Sequence, residues 1–369
     1  GTVGATPRAV LTAQQALRDE MERQPSRFML REVSNWIGAD AGHPTRMREA
    51  AAGVARFVGA RPDDVVFVDN ATAGVNAVLR SMILAPDDEI VVTDHTYGAV
   101  AKAADFVARR AGARVVVATL PFPRFDAVAA VDAIEAALTP RTRLAIVDHV
   151  VSETALLLPV RDVVARCRER GVPVLVDGAH APGAIELDVD AVDADWYTAN
   201  LHKWAHAPRS CGILWARPER QGDLHPTVIS WGLEEGFTRE FDWVGTRDPT
   251  PWLAAPAGIA FLESLGWDAV RRHNHDLAWH AATSLTRRWQ TPLEIDESSV
   301  GTMAAVPLPA AAGSTDAEAR RLRDALLFED RIEVAAFARA GRLWVRVSAQ
   351  VYNDEGDIDR LASAVLARL

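Results

Sequence analysis

The sequence predicts a large doubly wound α/β domain followed by a smaller α+β domain. Three observations carry this prediction. Seven short runs rich in β-branched and apolar residues recur between 65 and 216, alanine-rich helical stretches separate the earlier ones, and the pattern changes after Pro256. The strand runs fall at 65–68, 90–93, 115–118, 144–148, 174–177, 196–199 and 213–216, with helices near 74–84, 98–110, 127–138 and 160–170. Runs without polar alternation are buried on both faces, as in a mostly parallel sheet covered by helices. Ahead of them, Val10, Ala13, Leu17 and Met21 recur at helical spacing within 8–24, which puts them on one helix face. Beyond Pro256 the pattern predicts one long helix over 256–290, strands at 302–307, 331–337 and 343–348, and helices near 316–329 and 355–368. The expected units are an N-terminal helical segment (1–35) packing on the small domain, a large domain (36–255) and a small domain (256–369).

Composition narrows the function classes. The chain has 369 residues, 49% hydrophobic and 24% charged, which is the range of an ordinary globular protein with about two domains. Its net charge of −10 is opposite to the basic footprint of a nucleic-acid binder. No uncharged stretch reaches the ~20 apolar residues a membrane helix needs. The two cysteines, Cys167 and Cys211, show no pairing or zinc-ligand pattern, and fit a reducing, cytoplasmic setting. The ten histidines are scattered without metal-ligand spacing, so no metal is expected.

In open parallel sheets, ligands bind beyond the carboxyl ends of the strands. Those positions hold Asp69-Asn70-Ala71-Thr72-Ala73-Gly74, Asp94-His95-Thr96-Tyr97, Asp148-His149, Asp177-Gly178-Ala179-His180 and Asn200-Leu201-His202-Lys203. Neither a G-x-G-x-x-G after the first strand nor a P-loop occurs, so the usual dinucleotide and nucleotide signatures are missing. A lysine at a strand end in apolar company has a depressed pKa and can form an imine with an aldehyde. A carboxylate at a neighbouring strand end, Asp177, can hold a protonated pyridine nitrogen. Together they suit pyridoxal 5′-phosphate (PLP), whose pyridinium accepts the electron pair released when a bond at the substrate Cα breaks. Gly74 onward opens a helix whose N-terminus favours an anion.

The strings Val176-Asp177-Gly178-Ala179-His180 and Asn200-Leu201-His202-Lys203-Trp204 resemble the class V aminotransferase family of fold type I PLP enzymes. Segments 67–76, 94–98, 240–248 and 346–353 resemble its isopenicillin N epimerase-like branch. The resemblance implies that Lys203 carries the cofactor as a Schiff base and that Asp177 holds its ring nitrogen. It places His180 and Ser152 near the phenolic oxygen, although many relatives have Asn in place of Ser152. Phosphate binding falls to the Ala71 and Thr72 amides, the Thr72 hydroxyl and His202, with Asn200 where relatives often have Ser. An aromatic ring from the 94–97 turn, His95 or Tyr97, stacks on the cofactor. Gly245 and Thr246 reach the phosphate site of a second copy, so a homodimer with shared active sites is implied. Arg346 forks onto the substrate carboxylate, and Arg27, Arg31 and Trp231 are candidates for the substrate pocket.

The expected activity is therefore transformation of the amino-acid portion of a small molecule, through an external aldimine and a Cα carbanion. Isopenicillin N epimerase-like chemistry in secondary metabolism is one outcome. Carbon–sulfur β-elimination or decarboxylating oxidative deamination of an S-cysteinyl conjugate is another, and amino transfer a third. Cysteine desulfuration is disfavoured, because neither Cys167 nor Cys211 lies in the expected small domain. The reading from a different class is a doubly wound binding protein or nicotinamide enzyme in which Lys203 is structural.

Overall fold

The computed structural model describes residues 3–34 and 44–369; the expected limit at 35/36 lies outside the described residues. The large domain is built on seven strands: β1 (Val65–Val68), β2 (Glu89–Thr93), β3 (Arg114–Ala118), β4 (Thr142–Asp148), β5 (Val174–Asp177), β6 (Trp196–Asn200) and β7 (Gly212–Ala216). Two, β1 and β5, coincide with their expected runs, and the other five extend theirs by a residue or two at one end. Their order is β1-β7-β6-β5-β4-β2-β3. Only β7 is antiparallel to its neighbours, so the carboxyl ends of the other strands share one edge.

Alternate side chains explain why these strands read as unbroken apolar runs. Val65, Phe67, Val91, Ala145, Val147, Val174 and Val176 enter one core. Val66, Val68, Ile90, Val92, Leu144, Ile146 and Leu175 enter another on the opposite face. Helix α1 (Arg8–Arg23) precedes the sheet, and α2 (Arg46–Val58), which the sequence reading omits, starts at Thr45, whose side chain accepts the Arg48 amide. The first core takes Val54 and Val58 of α2, Ile134 of α5 (Ala127–Ala136) and Val163 of α6 (Val160–Glu169). The second takes Val75 and Val78 of α3 (Ala71–Ser81) and Val100 and Ala104 of α4 (Gly98–Ala111).

The expected long helix is two helices, α7 (Ala255–Leu265) and α8 (Trp267–Trp289), interrupted at Gly266 with φ 81°. A positive φ there ends the first helix, although apolar residues continue through the break. The apolar cores divide inside α8 and not at 255: Ile259, Leu262 and Val270 join the large core, whereas Leu277, Ala281 and Leu285 join a separate one. That second core also holds α9 (Asp316–Phe328), α10 (Glu355–Leu366) and the antiparallel sheet β8 (Met303–Pro307), β10 (Arg342–Ser348), β9 (Ala335–Arg339), in that spatial order. Helix α1, expected on the small domain, lies against 250–253 and α7, and Gln14 donates to Thr250 Oγ1 at 3.2 Å. The apolar residues of that surface, Trp252 and Ile259 among them, belong to the large core.

Helix α7 also braces the loop after β6. A Cβ at Gly258 would lie 2.6 Å from the Ala205 carbonyl oxygen and 2.9 Å from the Ala207 amide nitrogen. Gly258→Ala is expected to cost about 1–3 kcal/mol in denaturant unfolding, the usual penalty of overpacking; unchanged stability would show that α7 has room to spare there.

Candidate active site

Five strand ends of one edge bring the expected residues together. Asp148 and Asp177 close β4 and β5 and are register partners, with Thr198 of β6 next in line. In parallel strands, register partners point to the same face, so the two carboxyl groups are neighbours. Both are buried at 3% exposure. Burial raises the pKa of each, that of Asp148 further because Asp177 repels a second charge. Asp177 Oδ1 accepts the Ala179 amide at 3.0 Å, whereas Asp148 Oδ2 has no hydrogen-bond partner among the described residues.

Lys203 follows β6 on a buried loop. Its Nζ is 2.9 Å from His180 Nε2, and the Trp204 indole N–H donates to His180 Nδ1 at 3.2 Å. Burial lowers the lysine pKa to about 8, with Arg346 lowering it and Asp177 and Asp148 opposing. Burial also pulls His180 well below its ordinary value. Lowering the pKa makes the free amine easier to reach, and the free amine is the form that attacks an aldehyde. Chain composition sharpens the point: the protein has only two lysines, and the other, Lys102, is exposed on α4.

The α3 turn departs in detail from the expectation. The Ala71 amide donates to Asn200 Oδ1 at 2.9 Å, and the Ala73 amide is taken by Asn70 Oδ1. Of the two amides expected to meet a phosphate, only that of Thr72 remains open at the helix N-terminus, with the Thr72 hydroxyl beside it. Asn200 therefore holds the turn. Gly74 lets the helix approach β6, since a Cβ there would fall on Thr198 Oγ1. His202 Nδ1 donates to the Cys211 carbonyl at 2.9 Å, which commits that nitrogen.

His95 and Tyr97 are separated by their surroundings. The His95 side chain is fully covered, with Nδ1 2.8 Å from Asp94 Oδ1 and 3.1 Å from Arg339 Nη2, and its ring meets Phe122 edge-on. Tyr97 is 46% exposed and is the ring of this turn with an open face. Arg339, which the sequence reading did not select, bridges the domains from β9 by also bonding the Asp94 carbonyl and Glu153. Arg346, on the central strand β10, is buried and donates to the Ser152 carbonyl. Burial lowers its pKa, and its charge acts on both Lys203 and His180, so it belongs to this cluster.

Other expected residues sit apart. Arg27 is paired with Glu32 at 2.7 Å, and Arg31 is exposed in the same segment. Trp231 lines a cavity of about 300 Å³ with Ser34, Arg48, Asp242 and Trp243, none of them from the Lys203 cluster. Thr246 is exposed next to Arg247, whose guanidinium lies 3.6 Å from Asp69. Among the described residues, no group of His, Cys, Asp and Glu is arranged to hold a metal, and no helix is long and apolar enough to cross a membrane.

An open, mostly parallel sheet with a lysine of lowered pKa and a buried carboxyl pair at its strand ends is the arrangement of a fold type I PLP-dependent enzyme. The model of the family "Aminotransferase class-V" matches residues 5–361, and the chain belongs to that family. It is 35% identical to isopenicillin N epimerase of Streptomyces clavuligerus, over 99% of this chain and 92% of that protein. It is 32% identical to a probable chloroplastic L-cysteine desulfhydrase of Arabidopsis thaliana, over 99% and 81%. A solved cystine C–S lyase in complex with cysteine persulfide superposes with TM-score 0.78 at 21% identity, over 98% of this chain and 94% of that one.

The residues present fit the cofactor: a buried amine, an adjacent carboxyl pair and an open amide at a helix N-terminus. The pair also fixes a stability trend. A buried carboxyl with a raised pKa destabilises the fold increasingly as pH climbs above its unfolded value of 3.8, because the unfolded chain releases the proton more readily. Asp148→Asn stays neutral throughout. The melting temperature of cofactor-free Asp148→Asn, relative to wild type, is expected to rise from pH 4 to pH 8; the opposite trend would show that Asp148 is stabilised as an anion.

Proposed function

We propose that Lys203 is the attachment point of PLP and that the protein carries out chemistry on the Cα proton of an amino-acid substrate, in an isopenicillin N epimerase-like manner. The observation that carries this reading is the Lys203 amine, buried against His180 and held near pKa 8 in the field of Asp177. Bound PLP supplies an electron sink for the pair released at Cα. Asp177 keeps a proton on the ring nitrogen by charge. Arg346 would align the substrate carboxylate through a planar fork, and the Lys203 amine would be the base for the Cα proton. Tyr97 offers its open face for stacking, and His180 and Ser152 flank the phenolic oxygen. The Thr72 amide and hydroxyl take the phosphate. His202 reaches it through Nε2, and that bond requires a second proton on the ring because Nδ1–H is committed to Cys211.

The second reading is β-elimination from an S-substituted cysteine, favoured by the desulfhydrases among the relatives and by a sulfoxide lyase of Schizosaccharomyces pombe that is 25% identical over 79% of this chain. Sulfur transfer to an enzyme thiol is not supported by the cysteines. Both are buried in the large core, and burial pushes Cys167 up to about 12. We also propose a homodimer in which Gly245 and Thr246 complete the neighbouring site. The exposed run Val228, Ile229, Trp231 and Leu233 supplies apolar surface for such a contact. A cytoplasmic location is part of the same reading.

Incubating the holoenzyme with amino acids and S-substituted cysteines in deuterated water, followed by mass spectrometry, tests the reaction. The expected result is solvent deuterium at Cα of recovered, partly inverted substrate, or a keto acid with ammonia and released thiol. Loss of carbon dioxide with the original Cα hydrogen retained would contradict both readings.

A further inference from the structure

We propose that the indole of Trp204 fixes the tautomer of His180, and that His180 in turn holds the Lys203 amine in its unprotonated form. Trp204 is then a positioning residue that acts on the reactive lysine through a histidine. The inference rests on the reading of Lys203 as the reactive amine.

The argument is donor and acceptor bookkeeping. An indole nitrogen can only donate, and Trp204 Nε1 lies 3.2 Å from His180 Nδ1. His180 Nδ1 must therefore accept, and a neutral imidazole with that constraint carries its hydrogen on Nε2. Nε2 is 2.9 Å from Lys203 Nζ. Its hydrogen points at the amine, which can accept only through a lone pair that an ammonium lacks. The imidazolium is ruled out in this arrangement, since an Nδ1–H would meet the indole N–H head-on. Trp204 and His180 are both 1% exposed, so water cannot substitute for either partner.

The groups around Lys203 pull in different directions. Asp177 from β5 and Asp148 from β4 favour the ammonium, while Arg346 from β10 and burial oppose it. With two carboxyls so close, charge alone leaves the amine divided between forms, and the fixed Nε2–H tips it toward the free base. Replacing the indole by a phenyl ring removes the constraint. His180 could then carry its hydrogen on Nδ1 and accept from an ammonium through Nε2. His180 can also only donate toward a bound oxygen.

The test is nitrogen-15 NMR of the full-length, cofactor-free protein with labelled histidine, the His180 signals being assigned by their loss in His180→Gln. The expected result is a hydrogen on Nε2 and none on Nδ1 between pH 7 and 8. A hydrogen on Nδ1, or on both nitrogens, would overturn the proposal. Trp204→Phe is expected to populate the Nδ1–H form. It should also raise by about one pH unit the midpoint for attachment of added PLP, followed by visible absorbance, as loss of one buried hydrogen bond implies. A folded Trp204→Phe with unchanged tautomer and midpoint would also overturn it. If that variant fails to fold, the wild-type tautomer still decides. Because the tautomer is read without cofactor, PLP attachment elsewhere would defeat the assignment of Lys203 and leave the NMR result standing.

Discussion

Burying an amine is costly, and the molecule is arranged around one that is buried. Lys203 can stay largely covered because burial lowers its proton affinity and because two carboxyls, one imidazole and one guanidinium meet around it. An unpaired ammonium there would shed its proton. That balance eases formation of the free amine, in contrast to the exposed Lys102. It also explains why the site lies where three parallel strands end: only there do β4, β5 and the loop after β6 deliver side chains to one point without leaving backbone groups unpaired.

The remaining architecture serves the same point. Gly258 allows α7 to press on the loop after Lys203, and Gly74 allows α3 to close on β6, which aims the open Thr72 amide at the same edge. The small domain contributes through β10 and β9: Arg346 bonds the Ser152 loop, and Arg339 ties Asp94 and Glu153. Two arginines thus hold the domains together across the site. A change in the small domain's position would alter the electrostatics of the lysine directly, because Arg346 is one of the groups that set its proton affinity.

Much of this was legible in the residues. The seven strands could be read because burial on both faces leaves apolar runs, and the strand-end position of Asp177, His180 and Lys203 follows once the strands are located. The break at Gly266 was hidden because the helical spacing of apolar residues continues through it. Helix α2 carries its own signals, a Thr45 cap and a buried face of Met47, Val54 and Val58, but no strand run precedes it to mark it as part of the α/β alternation. The Ala71 amide could not be assigned from sequence, since its partner Asn200 is distant along the chain and only the fold joins them. Asp148 and Trp204 flank the chemistry in plain view, yet a strand-end aspartate or a tryptophan beside a lysine has many ordinary uses; their register and hydrogen bonds give them meaning. The scarcity of lysine was the unused signal, for with two lysines in the chain the choice of an attachment point is nearly made by count.

That scarcity makes the central claim simple to test. Borohydride reduction of the active holoenzyme, proteolysis and mass spectrometry locate the residue that bears the cofactor. The account expects the reduced pyridoxyl group on the peptide containing Lys203 and none on that containing Lys102. Full activity with the label on Lys102, or with no label on either lysine, would contradict it.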